Sequence, residues 1–324
     1  MFLTVFVGIT SLAFAQPYNN SWINYSQQYY KFKVAETGIY RIDSTVLVNA
    51  GIPLSTINPQ NFQLFVRGVE IPIHIEGEGD GVFDGSDFIE FYGQKNDGWL
   101  DEILYGSAAN HPSPHYSLYN DTISYFLTWN ALTTNNRLIL ETDTTFSAYT
   151  PINSFFKENL DVYSSGSKIT LDPYYDGKTI NAGGKAVSLF GFSSTEGWFD
   201  NPYLIGGNKV KNVATGNIDL LGSNAILNAV VIGWSDYAGI SNGDHHLRVN
   251  IGANVFDTIF EGHQKIDVQM SIPLTDLGAV STSVNFASIN DLGSGADKQT
   301  VAYLKLKYPH TMDWKDYQFL IGYF

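Results

Sequence analysis

The chain contains no cysteine. That absence removes disulfides, zinc–thiolate sites, iron–sulfur clusters and cysteine nucleophiles from its own residues. It leaves the compartment open, because 324 residues are enough to bury a core without covalent staples. Bases are also scarce, with 18 Lys and Arg against 32 Asp and Glu and a formal net charge of −14. No compact Lys/Arg patch reverses that balance, so a phosphate backbone is a poor partner and nucleic acid is set aside. Charged residues make up only 15% of the chain, so the surface must be built from Asn, Ser, Thr, Gly and Tyr. An equal share of aromatics, 15%, argues against an acidic disordered chain.

Long apolar runs are missing too, except at the start. Phe2 to Phe14 is almost wholly apolar and closes on Ala13-Phe14-Ala15 before Gln16. A short apolar core ending in small-x-small reads as a secretory signal peptide over residues 1–15, too short to span a bilayer as a helix. No Lys or Arg precedes it, so the amino terminus supplies the positive charge or the leader is longer than recorded. No other stretch reaches the ~18 apolar residues of a membrane helix, so the chain is not expected to span a membrane. The protein is expected to be exported, to the periplasm, the outer-membrane surface or the medium.

What remains is dominated by strand signals. A leader segment over 16–28 precedes Tyr29–Val34, which alternates, turns at Thr37-Gly38 and continues as Ile39–Ile42, the pattern of a hairpin. Asp43 or Ser44 reads as the N-cap of a short helix over Val46–Ala50, stopped by Gly51 and Pro53. Further strands are expected at Phe62–Val66, Val69–Ile73, Phe88–Tyr92 and Ile123–Trp129. The second half offers eight more: Ala186–Phe192, Asn217–Leu221, Ala225–Ile232, His246–Ile251, Val255–Phe260, Ile266–Ile272, Ser281–Phe286 and Thr300–Tyr308. With scarcely a helix between them, they fit a two-sheet sandwich. The fold class is therefore mainly β. A small β-rich amino-terminal domain over 29–150 precedes a jelly-roll-like β-sandwich over 151–309. The polar stretch Thr133–Thr150 marks the boundary. Residues 310–324 read as the start of a following region that is cut short. Tyr317–Phe324 is an apolar strand pattern with no polar tail, and such an edge is normally covered by more chain.

The strongest chemical feature is an acidic loop. Between Arg67 and Lys95 there is no Lys or Arg, while Glu70, Glu76, Glu78, Asp80, Asp84, Asp87 and Glu90 all occur. Glycines at 77, 79, 81 and 85 let the loop fold tightly, and converging carboxylates call for a hard cation, calcium first. The candidate ligands are Asp80, Asp84 and Asp87. The loop is not an EF-hand, because Val82 and Phe91 stand at its third and twelfth positions. The other reading is a solvated turn in which Asp84 or Asp87 caps backbone amides.

Catalytic templates are weak. There is no H-E-x-x-H and no Walker A motif. His245-His246 beside Asp244, with Asp236 near, is the best metal cluster, but neighbouring residues on a strand face opposite ways and do not share an ion. A polar strand start explains them equally. His111 and His115 sit in a Pro-rich loop. Trp22, Trp99, Trp198 and Trp234 offer a sugar-stacking platform if exposed, although burial is the commoner fate of such residues.

Six segments, in order, resemble one family. They are Tyr30–Val34 with Thr37–Ile42; Asn58-Pro59-Gln60-Asn61-Phe62; Gly79–Asp84 with Asp87–Gly93; Tyr119-Asn120-Asp121 with Tyr125–Trp129; Gly197-Trp198-Phe199-Asp200; and Leu304–Pro309. Together they resemble the non-catalytic amino-terminal region of gingipain-family cysteine peptidases, in particular the type IX secretion system sortases of Bacteroidetes. The resemblance implies an exported protein whose peptidase domain follows this region and supplies a His–Cys pair. It also implies partners, namely that downstream peptidase domain, secretion-system proteins or exported cargo. The sortase activity of the family, removal of a carboxy-terminal signal and transfer of cargo to a lipopolysaccharide anchor, belongs to that domain. With no cysteine here, no catalytic residue carries over, and this chain is itself expected to be non-catalytic, whereas the full-length protein is expected to belong to the cysteine-peptidase family. Two rivals stand beside this reading. One is a free-standing secreted adhesin or carbohydrate-binding sandwich. The other is a hydrolase with carboxylates in a deep pocket.

Overall fold

The computed structural model describes residues 20–131, 135–139, 142, 145, 154–162, 174–182, 185–188, 192–239 and 243–312. The leader, most of the Thr133–Thr150 boundary, part of the strand expected at Ala186–Phe192 and the run Tyr317–Phe324 lie outside them. The protein is mostly β, in several antiparallel sheets, and no helix among the described residues is long and apolar enough to cross a membrane. Two compact units emerge, one holding the described residues up to Lys95 with those of 122–142, the other Asn96–Asp121 with the described residues of 143–312.

The first unit contains β1 (Tyr30–Val34), β2 (Gly38–Asp43), α1 (Ser44–Asn49), β3 (Phe62–Val66), β4 (Val69–Ile71), β5 (His74–Glu76), β6 (Phe88–Gly93) and β7 (Ile123–Trp129). Their order is β1-β7-β3-β4 in one sheet and β2-β6-β5 in the other. Here β1 and β2 depart from the expected hairpin. β1 pairs with β7, Phe32 opposite Tyr125, while β2 pairs with β6, Tyr40 opposite Phe91. Aromatic packing accounts for the split. Phe91 lies 5.5 Å from Tyr40, 5.5 Å from Tyr125 and 5.7 Å from Phe32. Each strand thus contributes rings to a core between the sheets, and a fully buried ring is worth ~1.5–3 kcal/mol. The helix begins as expected, with the Asp43 carboxylate accepting from the Val46 amide at 2.8 Å. Arg67 and Gly68 both take positive φ, which closes β3 onto β4 as a tight hairpin.

The second unit holds β8 (Ser154–Val162), β9 (Tyr174–Asp176), β10 (Thr179–Ala182), β11 (Lys185–Ser188), β12 (Glu196–Trp198), β13 (Tyr203–Leu204), β14 (Asn208–Ala214), β15 (Ala225–Gly233), β16 (His245–Ile251), β17 (Asn254–Phe260), β18 (Lys265–Ile272), β19 (Ser281–Ser288) and β20 (Lys298–Thr311). One sheet runs β13-β20-β15-β18, with β8 on the free half of β20, and the other runs β14-β19-β16-β17. Taken in chain order, β13 to β20 place first beside eighth and second beside seventh, the jelly-roll arrangement. Leu227, Ala229, Val249, Ile251, Met270, Phe286, Leu304, Leu306 and Tyr308 are among the side chains buried between the sheets. Asn217–Leu221, expected as a strand, is instead a loop with one bridge, Ile218 to His310. Its leucines point to solvent, Leu221 being 97% exposed, so alternation is absent where the sheet would need it.

Candidate functional site

The acidic loop begins at β5 and ends at β6. Gly77 and Gly81 both adopt φ near +81°, and a Cβ on Gly77 would overlap the Asp87 carboxylate. Glycine is therefore required at 77 by both backbone and space. The three aspartates turn onto main chain. Asp80 accepts from the Val82 amide at 2.9 Å, Asp84 from the Ser86 amide and hydroxyl at 2.8 Å, and Asp87 from the Asp84 amide at 2.9 Å. The Ser86 amide and hydroxyl hold Asp84 below the usual carboxylate range. Glu78 pairs with Arg137 at 2.8 Å, and the same guanidinium donates to the carbonyls of Pro59, Gln60, Phe62 and Asn136. Asp84 and Asp87 meet through one peptide, whereas Asp80 serves its own end of the turn. Among the described residues no three of His, Asp and Glu converge as ligands for one ion.

In the second unit, β16 brings a different set together. His245 is wholly buried. Its Nδ1 lies 2.5 Å from Asp297 Oδ1 and its Nε2 lies 2.9 Å from the Ser235 carbonyl, with Asp244 Oδ1 at 3.6 Å. Both neighbours accept only, so the ring carries both protons as an imidazolium. Burial acts to lower its pKa, but the Asp297 hydrogen bond, the Ser235 carbonyl and the Asp297 and Asp244 charges outweigh it and hold it above the ordinary value. Burial likewise acts to raise Asp297, but hydrogen bonds from His245, Ser288 and Gln299 keep it low. Asp297 also accepts from the His246 amide at 3.2 Å. His246 faces the other way, as strand alternation requires, with Nδ1 2.8 Å from Asp291 and Nε2 2.7 Å from Asp257. Arg248 completes that pair by donating to Asp257 at 2.5 Å. Asp244 spends its oxygens on the amides of Tyr237 and Gly262, at 2.6 and 2.7 Å.

This cluster ties the starts of β16 and β20, the loop after β19 and the loop after β15 into one hydrogen-bonded knot. It is not laid out as a general base, because neither nitrogen of His245 is left for a nucleophile. Gly239-Ile240-Ser241-Asn242-Gly243 does spell G-x-S-x-G. β16, and not a helix, follows it, whereas a nucleophile elbow leads into a helix. Its residues 240–242 lie outside the described ones. Sequence reasoning found His245, His246 and Asp244 but missed Asp297, Asp291 and Asp257, for which no local spacing signals a partner.

The remaining candidates disperse. His111 is buried edge-on to Tyr105, which lies 4.7 Å away. Burial and the Lys265 charge push its pKa down to about 4. His115 packs instead on Tyr303 at 4.8 Å. All four tryptophans are half-buried. Trp22 packs on Phe65 and Phe126, at 5.3 and 5.2 Å. Trp234 packs on Tyr175 at 4.4 Å, with Lys298 5.1 Å above it. Trp198 meets Tyr174 at 5.1 Å and lines a cleft of about 410 Å³ with Leu118, Tyr119 and Phe192. Tyr174 donates to Glu196 at 2.6 Å, and burial raises the Glu196 pKa.

No protein-family model matches this chain, and no curated protein does. Among solved structures, dimeric latent PorU from Porphyromonas gingivalis is similar over 88% of this chain, with a TM-score of 0.50 at 13% identity. The chain spans about a quarter of that protein, 24% of its length. At such identity the likeness is one of fold. The structure of BuGH86 in complex with neoagarooctaose aligns over 88% of this chain and 33% of its own, at 10% identity, but with a TM-score of 0.23.

Proposed function

We propose that this chain is the non-catalytic, β-rich amino-terminal region of an exported gingipain-like peptidase of the type IX secretion sortase kind. Its work is to pack on, or position substrate for, a peptidase domain that these residues do not include. The observation that carries this reading is the PorU-like fold across both units, over 88% of this chain and only 24% of the larger protein. The six segments that resemble the family in order run through the same span. A hydrolase built on Asp80, Asp84 and Asp87 gains no support, because each accepts from a main-chain amide within its own turn.

The test is to read the natural gene past the codon for Phe324. A frame that continues into a domain with a His and a Cys is the expected result. A stop codon there would overturn the proposal and turn attention to a free-standing binding sandwich.

A further inference from the structure

The cleft of about 410 Å³ in the second unit is walled by Leu118, Tyr119, Tyr174, Phe192 and Trp198. Four of these five walls are aromatic, and neighbouring groups hold them in place. The Tyr116 hydroxyl accepts from the Trp198 amide at 2.9 Å and donates to the Trp198 carbonyl at 3.3 Å. Phe192 meets the buried Tyr105 edge-on at 5.6 Å. The Leu118 amide donates to Asp101 at 2.6 Å, which anchors the loop that carries Tyr119. Tyr119 itself is 70% exposed, so the cleft opens to solvent along that wall.

Beyond the Tyr174 end the chemistry turns acidic. β9 and β12 pair so that Trp198 stands opposite Tyr174 and Glu196 opposite Asp176. Opposed residues share a face, with Cβ atoms about 4.5–5.5 Å apart. Residues two apart on a strand share it too. Two rings and two carboxylates are thus set side by side, and Tyr174 links them. Its ring lines the cleft, and its hydroxyl donates to Glu196 at 2.6 Å. That bond uses the phenolic proton and leaves the oxygen's lone pairs for a donor from outside. Like charges directly opposite each other destabilise a strand pair. Burial raises the Glu196 pKa, the Tyr174 hydrogen bond lowers it, and the Asp176 charge raises it further. Among the described residues, no base is one of the groups that set it.

Charge and shape together select the guest. A cation is attracted to aromatic faces within about 6 Å of the ring centre, and here two acids stand next to such faces. An ammonium, with three donors, suits two separate carboxylates and a phenolic oxygen. A guanidinium's planar fork suits a single carboxylate with both oxygens open. Neither Glu196 nor Asp176 lines the cleft, so the charge must be carried past Tyr174 on a long apolar stem. A lysine side chain has that form, burying its methylenes while its head reaches polar partners. We propose that the cleft receives a lysine side chain of a partner peptide, its stem against Trp198, Phe192 and Tyr119 and its ammonium at Glu196, Asp176 and the Tyr174 hydroxyl. The inference rests on the cleft and not on the function proposed above.

The test labels the full chain with 5-fluorotryptophan, and W198F identifies the Trp198 fluorine signal among the six. That signal is followed while the peptide Ac-Gly-Gly-Lys-Gly-Gly-amide is added. Parallel titrations use the same peptide with norleucine, trimethyllysine or arginine in place of lysine, and the neutral sugar maltotriose. The expected result is a saturable movement of the Trp198 signal while the other five stay still. Binding should be at least tenfold weaker for the norleucine peptide and several-fold weaker for the trimethyllysine and arginine peptides. E196Q should weaken lysine binding at least fivefold, because glutamine still accepts from Tyr174 and keeps that wall in place. D176N, at an exposed position, should act in the same direction. The five unmoved signals report that each variant is folded. No movement of Trp198, equal binding of the norleucine peptide or indifference to both E196Q and D176N would overturn the proposal. So would trimethyllysine, arginine or maltotriose binding as tightly as lysine. A Trp198 signal that moves with protein concentration alone would seat a second copy in the cleft and likewise overturn it.

Discussion

In the first unit Asp80, Asp84 and Asp87 close on main-chain amides, and Arg137 braces Glu78. In the second, Asp297, Asp291 and Asp257 close on the imidazoles of His245 and His246. Both regions gather carboxylates in a chain of net charge −14, and both would repel themselves apart if left unpaired. The turn solves this with neutral donors held by glycine geometry. The cluster solves it with two cations buried or half-covered in a strand. An amide keeps its proton at any working pH, whereas an imidazolium does not. The second unit therefore has an alkaline limit that the first lacks.

The largest way to break this contrast is D297A. It strands an imidazolium in the interior together with the donors Ser288 and Gln299. Removing one partner of a buried pair costs about 3–5 kcal/mol. Denaturant unfolding should report that loss, with amide exchange accelerating through β16 and the start of β20. A loss under ~1 kcal/mol would mean that the cluster is surface-like and the contrast false.

G77A attacks the turn by shape instead of charge. A left-handed backbone costs an ordinary residue ~1–2 kcal/mol, to which displacement of Asp87 adds. Hydrogen exchange should quicken over 77–90 while β16 stays protected. Loss of protection in both units together would show that they unfold as one.

The pH dependence should separate the two without any substitution. His245 and His246 are held above their ordinary value in the folded state. Their contribution is complete below about pH 6.5, the unfolded value, and is lost as pH rises through the higher folded value. Asp297 and Asp257 are held low, so their share is present above about pH 4 and fades only as pH falls through the lowered folded values. Asp84, also lowered, gives the turn an acid limit and no alkaline one. Raising pH from 6 to 9 is expected to loosen residues 244–261 and 288–299 and to leave 77–90 unchanged. A flat profile for 244–261 would remove the imidazolium from the account.

Calcium gives the smallest expected effect. The three aspartates already serve the turn, so millimolar calcium against a chelator should move exchange over 77–90 hardly at all. A cation bound at a hundredfold excess over its dissociation constant would add about 2.7 kcal/mol. A gain of that order would assign the loop to the ion after all.

Much of the fold was legible. β3, β6, β7, β15, β17, β18 and β19 stand close to where alternation placed them. The helix cap at Asp43 and the stop at Gly51 follow from single residues. β14 was not legible, because its lysines lean inward while Val210 faces out. Lys211 is drawn in by Asp200 at 2.5 Å, an ion pair that no period-two pattern displays. The β1–β2 turn looked like a hairpin because local geometry permits one. Competition from β7 and β6, which offer larger aromatic faces, decided otherwise.

The sequence by itself determined that strands such as β3, β6, β7 and β15 extend, that Asp43 caps a helix and that His245 and His246 face opposite ways. Those outcomes rest on backbone sterics and on alternation within a few residues. Only the tertiary structure decided that Asp297 meets His245 and that Asp291 meets His246. Partners some fifty residues apart are joined by strand pairing, and pairing is settled by the burial of whole faces and not by any local run of residues.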